Sequence, residues 1–103
     1  MRKDDYQIHH IDWQGITIEI RWNHEHVIFD DNLTMAHLEI ETISPARSPL
    51  PMTETGYRSH FTHDVAVYAY GDPVSFVEAW LAETAATPAW QLSQSQRQQL
   101  SLF

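Results

Sequence analysis

The sequence has no cysteine among its 103 residues. This absence excludes disulfide scaffolds, thiolate metal sites and cysteine nucleophiles. Glycine is scarce too: the three glycines, Gly15, Gly56 and Gly71, lie far apart, so the chain has no glycine-rich loop to cradle a phosphate. No apolar run approaches the roughly 20 residues of a membrane-spanning helix, and no charged and then apolar leader opens the chain. We therefore expect a cytoplasmic protein that binds neither nucleotides nor membranes.

Basic residues are few: the chain has 6 Lys and Arg against 14 Asp and Glu, and its formal net charge is −8. Arg21 is the only basic residue between Asp4 and Glu41, and no Lys or Arg occurs from Ser59 to Gln96. Nucleic-acid-binding proteins neutralise phosphates with clustered Lys and Arg, and anionic membranes attract the same residues. The charge therefore argues against direct binding to either and predicts a protein partner with a basic surface.

Alternating apolar and polar residues predict a β-sheet. The runs Gly15–Trp22 and Met35–Ile43 alternate with a period of two, with apolar side chains on one face and acids on the other. A short apolar run, Val27–Phe29, lies between them and precedes an Asp-Asp-Asn cluster typical of turns. These three runs predict a three-stranded antiparallel meander over residues 15–43. The run Val65–Tyr70, which is apolar and β-prone, predicts a further strand.

One long helix follows the predicted strands. Asp72 is a favoured N-cap, Pro73 suits the first helical position, and apolar residues then recur at helical spacing, which predicts an amphipathic helix over residues 73–86. Because Trp80 lies in the apolar stripe, we expect Trp80→Ala to cost about 3–5 kcal/mol. Residues 93–103, rich in Gln and Ser, predict a short C-terminal helix or a loose tail.

Strands followed by an amphipathic helix define the fold class. We expect a single domain over residues 1–103 of the α+β class, an antiparallel sheet of three to five strands with the helix packed on one face. Residues 1–10 are mostly polar and predict a frayed terminus or an edge strand. An exposed edge over Tyr6–Trp13 would allow pairing with a second copy, so a homodimer stays open.

Histidine is abundant, with seven in the chain. His24 and His26 flank one glutamate, and His60 and His63 follow later, so these four can supply the converging ligands that zinc or another divalent metal requires. No zinc motif of fixed spacing, such as His-Glu-x-x-His, is present. Exposed histidines that titrate near neutral pH are the other interpretation. We therefore expect no cofactor, and a metal-binding protein or metal-dependent enzyme is the alternative function.

The segment Leu50–Phe61 reads LPMTETGYRSHF and combines proline, glycine and hydroxyl side chains with Glu54, Arg58 and His60. Its hydroxyl groups can satisfy the backbone of an irregular connection. Arg58 is the only cation of the segment and predicts an ion pair with Glu54 or with an acid of the sheet. Three interpretations stay open: a structural scaffold, a partner contact, and an acid–base and anion-binding set of Glu54, Arg58 and His60.

The same segment resembles a block found in small accessory proteins of proteobacterial plasmids, phages and integrative elements. The resemblance extends back to residues 36–45 and forward to the predicted helix. It implies a mobile-element context, in which accessory genes often encode small acidic proteins that block host defence. It carries no assigned catalytic residue over to this chain.

The acidic face of the predicted sheet gives the leading hypothesis. Because the sequence has no nucleophile or phosphate-loop motif, we expect a binding protein rather than an enzyme: an interaction module that docks a basic nucleic-acid-binding surface, as inhibitors of the anti-CRISPR or anti-restriction type do. Solubility alone is the alternative explanation, since net charges near this magnitude are common in small domains. The expected partner-binding residues are Glu19, Glu39, Glu41, Asp30, Asp31, Glu54, Tyr57 and Arg58.

Overall fold

A computed structural model describes residues 6–30 and 33–101 of the chain, with side chains over 6–25 and 34–96. Four antiparallel strands form one sheet in the order β1-β2-β3-β4, so each strand pairs with its sequence neighbour. The class is α+β, as predicted. The elements in chain order are β1 (Gln7–Trp13), β2 (Ile16–Asp30), β3 (Leu33–Ser44), β4 (Tyr57–His63), α1 (Asp64–Tyr68), α2 (Pro73–Ala85) and α3 (Pro88–Ser101).

The first hairpin places β1 at one edge of the sheet. Its two-residue turn consists of Gln14 and Gly15, with φ values of 50° and 81°, which suits the twist of the flanking strands. The edge strand predicted near the amino terminus is therefore present, over residues 7–13. Residues 1–5, predicted to fray or join that strand, lie outside the described residues.

The predicted three-stranded meander over residues 15–43 is wrong in its strand count. Gly15–Trp22 and Val27–Phe29 do not form two strands, because β2 runs continuously from Ile16 to Asp30 with a register shift between Asn23 and Val27. A β-bulge accommodates the extra residues without reversing the chain, and the intervening Asn-His-Glu-His has no glycine or proline to turn it. The predicted acidic turn falls between β2 and β3, where residues 31 and 32 lie outside the described part.

One face of the sheet forms the core. On this face the central strands β2 and β3 place their apolar side chains opposite one another, as in Ile20 against Ile40 and Trp22 against Leu38. Helices α1 and α2 cover the same face with fully buried aliphatic side chains. The buried apolar residues of the core are Ile18, Ile20, Trp22, Ala36, Leu38, Ile40, Leu50, Met52, Val67, Val77 and Leu81.

The predicted strand at Val65–Tyr70 is wrong, because residues 64–68 form the short helix α1. In a strand Val65 and Val67 would share one face. In the structure Val67 is fully buried and Val65 is 71% exposed, as residues two apart on a helix are. The backbone amide of Ala69 donates to the Val65 carbonyl at 3.0 Å, so the hydrogen bonds are local.

Helix α2 confirms the predicted amphipathic helix within one residue. The Asp72 carboxylate accepts a hydrogen bond from the Ser75 amide at 2.7 Å, which is the N-cap interaction expected there. Val77 and Leu81 are fully buried, whereas Trp80 is only partly buried at the rim of the core. The expected Trp80→Ala cost of about 3–5 kcal/mol is that of a fully buried aromatic side chain, which Trp80 is not.

The predicted C-terminal helix is present as α3, which begins at Pro88, earlier than predicted. Its Trp90 ring lies 6.1 Å from that of Trp13 on β1. Within residues 6–30 and 33–101, no helix is long and apolar enough to cross a membrane.

Candidate interaction surface

The side of the sheet away from the helices carries polar, charged and exposed apolar side chains. Strand alternation and the pairing register place them in rows across the four strands, such as His10, Glu19, Glu41 and Tyr57. We call this surface the open face. Its described members used below are Tyr6, Ile8, His10, Asp12, Glu19, Arg21, His37, Glu39, Glu41, Tyr57, Ser59 and Phe61.

Arg21 lies at the centre of the open face and binds three glutamates from two strands. Its guanidinium contacts Glu19, donates to Glu41 at 2.8 Å and lies 3.4 Å from Glu39. The Tyr57 hydroxyl donates a further hydrogen bond to Glu39 at 2.5 Å. Three of the predicted partner-binding acids therefore gather on one face, as the alternation indicated, but they share one internal cation.

These contacts hold Glu19 and Glu39 in their charged form. Burial alone would raise the pKa of Glu19 and Glu39, but hydrogen bonds from Arg21, His10 and Tyr57 and the charge of Arg21 outweigh it, so both pKa values lie below their ordinary value. The bond to Glu39 raises the pKa of the Tyr57 hydroxyl. Glu19 and Glu39 are therefore ionised and Tyr57 is neutral at neutral pH.

The open face keeps an excess of negative charge despite Arg21. Asp12, which accepts a hydrogen bond from the Thr17 hydroxyl at 3.0 Å, adds a fourth carboxylate. One guanidinium offsets one of these four charges. Glu41 is the most accessible of the three bound glutamates, with 43% of its side chain exposed against 21% for Glu19 and 20% for Glu39.

A second cluster on the open face centres on His37, which is only 8% exposed. Its Nδ1 lies 2.6 Å from the Tyr6 hydroxyl, its Nε2 lies 2.6 Å from the Ser59 hydroxyl, and its ring stacks on Phe61 at 4.4 Å. A serine beside a histidine can act as a nucleophile and base. Here, however, Ser59 lies on an exposed strand face from which water is not excluded. We therefore interpret the contacts of His37 as structural and not catalytic.

Exposed apolar side chains border these two clusters. Phe61 is 54% exposed, Ile8 47% and Tyr57 42%. Aromatic rings beside charged groups are typical of the surfaces that proteins use to bind one another. Sequence reasoning missed His37 and Phe61, although His37 alternates in phase with Glu39 and Glu41 on β3 and Phe61 alternates in phase with Tyr57 on β4.

The predicted contacts in Leu50–Phe61 divide between different surfaces. Tyr57 lies on the open face, but Arg58 points to the helix side, where its guanidinium lies over the Trp80 ring at 5.5 Å and 3.4 Å from the Met52 carbonyl. The predicted ion pair of Arg58 with Glu54 is therefore wrong. Adjacent residues of a strand point to opposite faces, and Glu54 lies in the preceding loop.

That loop has a structural role. The Thr53 and Thr55 hydroxyls donate to the Tyr57 carbonyl at 2.8 and 3.2 Å, and Leu50 and Thr53 exchange backbone hydrogen bonds. The scaffold interpretation is therefore supported for these threonines. Glu54 and His60 line different cavities, so the predicted acid–base set is not assembled. Of the remaining predicted acids, Asp31 and the side chain of Asp30 lie outside the described residues.

The predicted metal ligands do not converge. His60 and His63 lie three residues apart on β4 and so point to opposite faces of the sheet. His63 approaches the Thr34 carbonyl at 3.3 Å, and His24 lies 3.5 Å from its neighbour Glu25, while the side chain of His26 lies outside the described residues. Over the side chains that the structure describes, no three His, Asp or Glu residues form a group suited to a metal ion.

The fold and this surface define a class: an α+β domain whose sheet has one helix-covered face and one open face with an excess of acids. The chain belongs to the KlcB third domain family, whose model matches residues 6–90. KlcB is a plasmid-encoded protein family, so the chain is placed among plasmid accessory proteins. No curated protein and no solved structure matches the chain.

Proposed function

We propose that this domain is a protein-interaction module that docks a basic surface of another protein through its open face. One observation carries the proposal: four carboxylates and one guanidinium lie on a sheet face that α1 and α2 leave uncovered. A partner that presents Lys or Arg would complete the charge balance. Because exposed like charges repel other acids, the same face would reject acidic partners.

The internal ion pairs prepare this face for binding. Arg21 and Tyr57 fix Glu39 before any partner arrives, so less side-chain entropy is lost on association. Glu41 contacts Arg21 through one oxygen, so a guanidinium from a partner can bind its other oxygen. Phe61, Ile8 and the Tyr57 ring would supply apolar contact beside these charged groups.

The plasmid context favours one class of partner with a basic surface. Proteins that act on foreign DNA have basic grooves for the phosphate backbone, and an acidic protein that occupies such a groove competes with the nucleic acid. We propose that the partner is a nucleic-acid-binding defence protein of the host and that the domain inhibits it. The family supports a plasmid accessory role, and the charge of the open face supports the mode of binding.

The test compares two triple variants with the same change in net charge. Glu19→Gln, Glu39→Gln and Glu41→Gln remove charge from the open face, while Glu54→Gln, Asp64→Asn and Glu78→Gln remove as much from elsewhere. Both are used with the original protein to capture partners from nuclease-treated host extract, and each captured protein is then purified and titrated. Circular dichroism and thermal melting check that both variants fold.

The proposal requires a purified partner whose affinity falls in the open-face variant and not in its control. That affinity should weaken with added salt, and DNA should compete for the partner. Equal loss of binding in both variants would show that net charge, not the open face, determines binding. Capture of the same proteins by all three forms would rule out the open face as a docking surface.

A further inference from the structure

A cavity on the helix side of the sheet has aromatic walls. It measures about 180 Å³ and is lined by His60, Tyr70, Phe76, Trp80 and Glu83. Sites for drug-sized ligands are larger, roughly 300–1,000 Å³, so this cavity suits a single small head group. Because His60 points away from the open face, the cavity is separate from the docking surface proposed above.

Helix α2 provides most of the lining. Phe76, Trp80 and Glu83 lie at positions i, i+4 and i+7, which fall on one side of a helix. His60 on β4 faces them, and Tyr70 closes one end from the connection between α1 and α2. Trp80 belongs to the apolar stripe predicted from the sequence, but both Trp80 and Phe76 are partly exposed and both line this cavity.

Three of the four ring contacts in the lining are inclined, and the fourth, between His60 and Phe76, is nearly parallel at 23° with centroids 6.1 Å apart. Tyr70 meets Phe76 at 80° with centroids 5.3 Å apart, Phe76 meets Trp80 at 62° and 5.9 Å, and His60 meets Trp80 at 56° and 4.9 Å. Because most of the ring contacts are inclined, the rings enclose a rounded space more than a flat slot. Each ring face carries partial negative charge, which attracts a cation.

One charged side chain lines the cavity and a second lies beside it. Glu83 is the one carboxylate of the lining, and it adds a full negative charge to those of the ring faces. Burial and the nearby charge of Arg58 lower the pKa of His60, so His60 is neutral at neutral pH and repels no cation. Arg58 lies over the Trp80 ring at 5.5 Å and outside the lining; its charge opposes a bound cation, so Glu83 and the ring faces have to outweigh it.

We propose that this cavity is an aromatic cage that binds a methylated ammonium group. Such a group is compact, carries a delocalised positive charge and needs few hydrogen-bond acceptors. The walls of this cavity match it, because they offer aromatic rings and only one carboxylate. Unmethylated ammonium is strongly hydrated and would lose more hydrogen bonds with water than Glu83 replaces. The ligand is a free quaternary amine of the choline type or a methylated lysine side chain.

The direct test is an NMR titration with tetramethylammonium chloride, with sodium chloride as the ionic-strength control. Trp80→Phe assigns the Trp80 indole signal by its loss. We expect that signal to shift saturably while the other indole signals stay in place. The uncharged carbon analogue of choline, 3,3-dimethyl-1-butanol, should bind far more weakly than choline itself, because it lacks the charge that the rings and Glu83 attract.

Two variants on α2 form a matched pair. Glu83→Gln should weaken choline binding about three- to tenfold, while Glu78→Gln, an exposed position outside the lining, should leave it unchanged. Both positions are exposed, so both variants should fold, which thermal melting checks. Choline and trimethyl-lysine are titrated in parallel, and the tighter of the two identifies the source of the ammonium group.

Two results would overturn the proposal. Absence of a saturable shift of the Trp80 signal would show that the cavity binds no such cation. Equal affinity for choline and its uncharged analogue would show a purely apolar pocket. Since the proposed docking surface is on the other face of the sheet, either result would leave the open-face experiment unaffected.

Discussion

Gly56 offers a sharp test of how the Leu50–Phe61 segment is built. It precedes β4 with a φ of +79°, and a Cβ added there would lie 2.8 Å from Cα and 2.9 Å from the carbonyl carbon of Arg47, and 3.0 Å from the Ser48 oxygen. All three are backbone atoms, which cannot move aside as a flexible side chain does. The Gly56 carbonyl accepts a hydrogen bond from the Thr42 amide at 2.7 Å. This bond and the adjacent Arg47–Ser48 backbone together fix the position of the glycine.

The expected cost of Gly56→Ala has two parts. A left-handed backbone costs a residue with a Cβ about 1–2 kcal/mol, and forcing a methyl group against packed atoms costs about 1–3 kcal/mol. Together they predict a loss of about 2–5 kcal/mol, a large fraction of the 5–15 kcal/mol typical of a domain. Gly15→Ala is the matched control, because Gly15 has a φ of +81° but no atom within 4 Å of an added Cβ. The Gly15→Ala variant should therefore lose only about 1–2 kcal/mol of folding stability.

Urea unfolding followed by tryptophan fluorescence measures both variants against the original protein. We expect the unfolding midpoint to fall further for Gly56→Ala than for Gly15→Ala, with no large change in slope. A loss for Gly56→Ala no greater than that for Gly15→Ala would refute the close approach of this glycine to the Arg47–Ser48 backbone.

Three further predictions use the same unfolding assay. The pKa of Glu39 is lowered below its ordinary value of 4.5, so the stabilisation from its carboxylate is complete above that pH and is lost as the pH falls through the folded value. Arg21→Met should reduce or reverse this loss of folding stability in acid. An unchanged dependence of stability on pH would contradict the ion pair of Arg21 with Glu39. His60 also has a lowered pKa, so stability should fall as the pH drops below about 6.5, and His60→Gln should lessen that fall. Leu81 is fully buried, so Leu81→Ala should cost about 2–5 kcal/mol, whereas the exposed Val65→Ala should stay within about 0.5 kcal/mol; similar losses at both positions would contradict the packing of α2.

Local patterns predicted the elements whose signals are local. The alternation of β3 identified which acids share a face, because successive side chains of a strand point to opposite sides. Asp72 and Pro73 fixed the start of α2, since the cap acts within one turn. The same reasoning failed at Val65–Tyr70, where a short apolar run fits a strand or a buried helix equally well.

The candidate sites depend on contacts that are distant in sequence. Arg21 meets Glu39 and Glu41, 18 and 20 residues away, only because the register of β2 and β3 brings them opposite. The predicted metal ligands His60 and His63 do not meet, because an odd separation along a strand places them on opposite faces of β4. Tyr70 and His60 approach the same cavity from separate elements, which no local pattern indicates.

The sequence by itself determined the α+β class, the main helix, the excess of acids and the common face of Glu19, Glu39 and Glu41. Only the tertiary structure decided that these acids share Arg21, that Arg58 lies beside Trp80 instead of Glu54, and that aromatic rings enclose a cavity beside α2. Charge and periodicity are properties of the chain, readable one residue at a time. Ion pairs and cavities depend on strand register and helix packing, which are fixed only when distant segments bury their apolar surfaces together.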